Sequence, residues 1–258
     1  MADNVHITDV ELEAMHKQGA CLTRHQQREE GNLCSHQWQA YQQSLDHAST
    51  YDYPTYIELC EKSSNKVSYF YPSATSTRSK RPRPGDWDVG VGQNFQHFRV
   101  PYWHNCHHVV PNGVLRDAIT DAGNSDARLP NLIKYALLKA EYNLNDKENM
   151  VILPMQSVVA KALGLPRHLK GDELGPGEKA EMFSHPDYSA RVKQKLVPIV
   201  NDYKRIILDA LNKKHPALPG PVSKSKLERL SMSTYIDIIT FGSSKKFSGE
   251  SLADVPIS

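Results

Sequence analysis

His104-Asn105-Cys106-His107-His108-Val109-Val110-Pro111 decides how this chain is read. Three imidazoles fall within five residues, after an apolar-aromatic approach (Phe98, Val100, Tyr102, Trp103) and before a turn at Pro111-Asn112-Gly113. Neutral imidazole is the commonest protein metal ligand, and its pKa suits proton transfer near neutrality. Adjacent histidines ending a strand can therefore divide two tasks: one holds an ion, the other takes a proton from water. A histidine-rich surface loop is the alternative, and the pair alone does not exclude it.

Downstream residues add to the argument. A helix-rich insert follows the pair, then Asn145-Asp146-Lys147-Glu148-Asn149-Met150-Val151-Ile152-Leu153-Pro154, then His185-Pro186-Asp187-Tyr188 with Val192 and Leu196 behind it. These three ordered elements resemble the HNH/endonuclease VII superfamily, and in particular its AHH-type bacterial toxin nucleases. Cys106 stands where that family usually has Ala, and Met150 where it usually has Gly. The resemblance covers about residues 95–205.

The resemblance implies an α+β, mostly helical fold: a ββα-metal (His-Me finger) core carrying a helical insert. It implies a metal-dependent endonuclease that hydrolyses DNA, with His108 as general base and Asn149 constraining the loop or orienting that base. His107 and His185 would ligate a divalent metal ion, magnesium first, with zinc, manganese or nickel as alternatives. The roles of His107 and His108 can be exchanged on sequence alone, and His168 competes with His185. His104 and Tyr188 are further candidates beside the site. The family's biology implies an antibacterial toxin and secretion-system effector, made in the producer's cytoplasm and acting in a target cell's cytoplasm. Its partners would be a DNA substrate, a cognate immunity protein, and a secretion-apparatus or chaperone protein. A rival of another class keeps the fold and loses the chemistry: a nucleic-acid- or protein-binding module, which Met150 in place of Gly would favour. A zinc hydrolase of small substrates has no H-E-x-x-H or G-x-S-x-G to support it.

The whole chain sets limits on these readings. Its 258 residues allow one large domain or two small ones. A formal net charge of only +2 does not announce nucleic-acid binding, so phosphate contacts must come from local clusters. Lys80, Arg81 and Arg83 lie in the proline-rich stretch Arg78–Pro84, a basic loop or linker. Arg116, Arg167, Lys134, Lys139 and Lys170 are cations on or near the insert. No run approaches the roughly 18 apolar residues of a membrane helix, and the N-terminus has no apolar core of a secretory signal. Four scattered cysteines without a C-x-x-C suit free thiols; Cys21, His25, Cys34 and His36 match no zinc spacing.

In chain order, Thr8-Asp9-Val10-Glu11 predicts a capping box opening a helix that runs to about residue 27. Trp38, Tyr41 and Leu45 predict a second helix with an aromatic inner face. Residues 66–71 predict a strand, as do 93–102 and 150–154; residues 112–122, 131–142 and 156–165 predict helices. A long helix should carry the stripe Tyr188, Val192, Leu196, Ile199, Tyr203, Ile206 and Ala210, kinked at Pro198. Tyr235–Ile239 reads as a strand or a buried helical turn. The expected organisation is an accessory region over 1–92, a nuclease domain over 93–215 and an extension over 216–258.

Overall fold

The computed structural model describes residues 5–23, 28–51, 89, 95, 102, 104–155, 157–169, 185–212 and 217–258. The expected strands at 66–71 and 93–102 and the basic loop at 78–84 lie essentially outside these residues. Among the described residues are seven α-helices: α1 (Asp9–Met15), α2 (His36–Asp46), α3 (Asn112–Ala122), α4 (Leu129–Lys139), α5 (Ser157–Leu163), α6 (Pro186–Leu211) and α7 (Ser225–Gly242). Two strands, β1 (His104–His108) and β2 (Met150–Pro154), pair as a small antiparallel sheet. A mostly helical chain with one such sheet is compatible with an HNH-type α+β fold.

The chain divides into two compact units, and it passes between them several times. One comprises Met1–Gln39, His108–Asn149 and Ser189–Thr234; the other comprises Ala40–His107, Met150–Tyr188 and Tyr235–Ser258.

In the first unit, α1 and α3 both pack on α4. Leu12 of α1, Leu115, Ala118 and Ile119 of α3, and Leu132, Ile133, Ala136 and Leu137 of α4 are buried there. In α3 and α4 the i, i+3, i+4 spacing gives one apolar stripe each, and α1 adds Leu12. Helix α1 opens as expected: the Thr8 side chain accepts from Glu11 N, and the Glu11 carboxylate accepts from Thr8 N at 2.8 Å. It ends at Met15, not near residue 27. Gly19 adopts φ +83°, a left-handed conformation open to glycine. The backbone of Cys21 then pairs with another segment, donating to Tyr142 O at 3.0 Å and accepting from Leu144 N at 2.7 Å. Those backbone groups serve a parallel bridge to Asn143 and cannot also continue a helix.

Helix α2 buries a face other than the aromatic one expected. His36, Gln39, Ala40, Gln43 and Ser44 are buried, Trp38 and Tyr41 are half-buried, and Leu45 is exposed. Trp38 instead lies under the Arg28 guanidinium at 5.3 Å, a cation–π contact that suits a half-exposed ring.

In the second unit the core gathers Tyr51, Phe95, Tyr102, Met150, Ile152, Val159 and Leu165. Every residue of β2 is buried, and the Tyr51 hydroxyl donates to Ile152 O at 3.0 Å. Tyr235–Ile239 is helical, inside α7. In α6 the buried stripe runs Tyr188, Val192, Leu196, Val200, Tyr203, Ile207 and Leu211, so Val200 and Ile207 replace the expected Ile199 and Ile206. The stripe mostly advances by four residues, more than the 3.6 of one turn, and so winds around the helix. Pro198 lies within this helix.

Candidate metal centre and active site

His107 near the end of β1, His168 after α5, and His185 just before α6 meet in the second unit. One ligand nitrogen from each lies within 4.8 Å of the others. The rings are set edge to face, with centroids 5.0 Å apart for His107 and His168, 4.6 Å for His107 and His185, and 5.2 Å for His168 and His185.

Each histidine is held by a local feature. His168 N donates to Pro154 O, the last residue of β2, at 2.8 Å. Its neighbour Arg167 forms a parallel bridge with Ser251, donating from N to Glu250 O and accepting from Leu252 N, each at 2.9 Å. Residues near the C-terminus thus clamp the segment that presents His168. His185 precedes Pro186, the first residue of α6. Tyr188, three residues on, shares its face of the helix. The Tyr188 ring packs against both His107 and His185 at 5.5 Å. It is fully buried, and that burial pushes its phenol well above the usual range, so it stays neutral. Burial also holds the His185 imidazole below its ordinary range, which keeps it in the neutral form that has a lone pair to donate.

The donor set fits a transition-metal ion. His107 Nδ1 and His168 Nε2 are 3.2 Å apart. Two nitrogens bound at 2.0–2.1 Å in tetrahedral geometry would sit about 3.3 Å apart. The same separation suits an imidazole–imidazole hydrogen bond. Among the described residues the donors are three imidazoles, a borderline, nitrogen-only set.

His108, the next residue, belongs to a different network. Consecutive side chains of a strand point to opposite faces. His107 joins the histidine cluster, and His108 turns into the first unit. There its Nε2 lies 2.9 Å from Asn145 Oδ1, and its ring stacks on buried His36 with centroids 5.6 Å apart and planes at 21°.

Asn149 bonds to the loop after β1 and not to His108 in the contacts seen. Its Oδ1 accepts from Val110 N and from Ser231 Oγ, both at 2.8 Å, and its Nδ2 donates to Leu144 O at 2.8 Å. His104 is a core residue, with Nδ1 2.8 Å from Tyr102 O and its ring against Phe95. Among the cations, Arg167 donates its Nε to Gly249 O at 2.9 Å. Arg116 and Lys134 line one cleft of about 300 Å³ over Leu12, Leu115 and Ile119; Arg116 also pairs with Asp117 at 3.2 Å. Lys139 sits over the Tyr135 ring at 5.4 Å. Lys80, Arg81, Arg83 and Lys170 lie outside the described residues.

Residues 91–215 match the model of AHH, a nuclease family of the HNH/ENDO VII superfamily with conserved AHH. What this stretch resembles is thus the AHH nucleases. Nucleases of the HNH type use divalent metals, and His107, His168 and His185 are the residues placed to hold one. No curated protein and no solved structure matches the chain. Among the described residues, no helix is long and apolar enough to cross a membrane.

Sequence reasoning set His168 and His185 against each other, whereas the fold assembles both with His107. It passed over two residues at His108. Asn145 had a signal, since it opens the Asn-Asp pair of the second motif. His36 had none, because stacking between distant segments leaves no mark on local spacing.

Proposed function

We propose that this protein is an AHH-type, metal-dependent endonuclease that hydrolyses DNA phosphodiester bonds with little sequence preference. The observation that carries the reading is the convergence of His107, His168 and His185 from three separate elements. In this reading His107, His168 and His185 hold a divalent ion, which when bound supplies Lewis-acid stabilisation of charge developing on the phosphate. These three imidazole donors favour zinc or nickel over the magnesium first expected, because magnesium and manganese suit oxygen ligands. His108 accepts the proton of the attacking water. Asn149 keeps the loop between β1 and α3 in place. Arg116 and Lys134 bind backbone phosphate.

The binding-module alternative rested on Met150. That side chain is fully buried in the core of the second unit, where it begins β2, so the departure from the family's Gly is consistent with a formed strand. Purified protein on supercoiled plasmid, with EDTA or with each metal added back, tests the proposal beside His108→Ala and His107→Ala. Metal-restored nicking lost in both variants supports it. Cleavage that persists in both, or folded protein inert with every metal on DNA while cutting RNA, overturns the DNase reading.

We further propose the role of an antibacterial toxin, held in check by a cognate immunity protein and delivered with a secretion-apparatus or chaperone partner. It follows the family resemblance. Growth arrest on expression in the cytoplasm of a bacterium, abolished by His108→Ala, is the expected result; normal growth with intact protein counts against it.

A further inference from the structure

We infer that Asn145 is the positioning residue of His108, that it holds the ring in the Nε2–H tautomer, and that the N-terminal segment sets this orientation. The inference rests on the reading of His108 as the base.

The argument starts at the Asn145 amide, whose two ends have different chemistry. Nδ2 can only donate and Oδ1 can only accept. The Nδ2 end lies 2.9 Å from Thr23 O, a carbonyl and therefore a pure acceptor. Were the amide turned over, two oxygens would face each other in a residue with no exposed surface. Thr23 thus points Oδ1 at His108 Nε2, 2.9 Å away, and a contact with that oxygen requires a hydrogen on Nε2. In the neutral ring the basic lone pair is then on Nδ1.

Two further contacts hold the amide where it is. Asn145 N donates to Asn143 Oδ1 at 3.0 Å, and Asn143 Nδ2 donates to Leu33 O at 2.7 Å. The Cys21–Asn143 bridge fixes the register of Thr23 against Asn145. His36 adds its ring against the same histidine. Thr23, Leu33 and His36 all lie outside residues 91–215, the stretch that matches the family model. The N-terminal segment is therefore a working part of the base, and its carbonyl at Thr23 selects the tautomer.

The test is long-range ¹H–¹⁵N correlation NMR on the full chain with labelled histidine, at a pH where the ring is neutral, His108 being assigned by its loss in His108→Gln. The expected spectrum has a protonated Nε2 and an unprotonated Nδ1. Asn145→Ala should mix the two forms and lower plasmid-nicking kcat at least ~10-fold with KM little changed, as expected when a general base loses its orienting partner. An Nδ1–H ring in the unmodified chain overturns the inference, as do an unaltered tautomer and kcat in Asn145→Ala. The tautomer is read without metal or substrate, so a chain that shows the expected ring yet cuts nothing would sink the nuclease reading alone.

Discussion

His168 Nε2 lies 3.2 Å from His107 Nδ1, although sixty-one residues separate them along the chain. With His185 completing the group, the contact makes a direct prediction. His168→Ala and His185→Ala should each weaken zinc or nickel binding more than about 100-fold, since even outer-shell partners of a ligand account for 10–100-fold. Calorimetric titration of folded variants checks this. Unaltered affinity in His168→Ala would remove that residue from the centre.

Asn149 joins the loop after β1 to α7 through Ser231, and all its partners are buried. Asn149→Ala would strand Val110 N, Leu144 O and the Ser231 hydroxyl, at a cost of about 3 kcal/mol or more. Ser231→Ala removes one bond and should cost about 1 kcal/mol. Urea unfolding should rank them in that order. Equal, negligible effects would mean Asn149 does not brace the loop.

Gly242 closes α7 against the end of α5. A Cβ built there would lie 2.1 Å from Gly164 O, far inside contact distance, and backbone cannot rotate away as a side chain can. Gly242→Ala should therefore destabilise by about 1–3 kcal/mol, the usual cost of forced overpacking. A thermal midpoint equal to that of the unmodified protein would contradict this close approach.

Asp126 accepts from Arg128 through both carboxylate oxygens, at 3.0 Å from Nε and 2.7 Å from Nη2, and through Oδ1 from Arg128 N at 2.9 Å. The guanidinium bonds are the main cause that holds its carboxyl below the usual range. A depressed carboxylate pKa gives stability that is complete above the unfolded value, near 3.9, and is lost as pH falls through the folded value. Asp126→Asn should cost about 1 kcal/mol at pH 7, the upper end for a partly exposed pair. The gap should close below about pH 4. A difference that holds constant from pH 7 to pH 3 would assign the effect to something other than this ion pair.

Local pattern carried much of the architecture. Apolar spacing at 3.6 residues marked α3 over its observed length, the apolar run 150–154 marked β2, and Thr8 with Glu11 marked the start of α1. These features are legible because a helix or strand face is written at fixed short spacings. The same rule assigns His107 and His108 to opposite faces of β1, although it does not say which face holds the ion. Chain-distant relationships left no such record. That α1 stops at Met15, that α2 turns His36 and Gln39 inward in place of its aromatics, and that the stripe of α6 passes through Val200 are settled by the neighbours each segment meets.

Sequence by itself determined the histidine pair, the three ordered motifs and the match of residues 91–215 to a nuclease family model. Only the tertiary structure decided that His168 and His185 lie together beside His107, that Asn145 and not Asn149 meets His108, and that segments near both termini contact these histidines or their neighbours. The physical reason is that hydrogen bonds such as Thr23 O to Asn145 Nδ2 and Arg167 N to Glu250 O join groups 122 and 83 residues apart. Their partners are selected by where the packed elements place the chain, and no spacing along it encodes that choice.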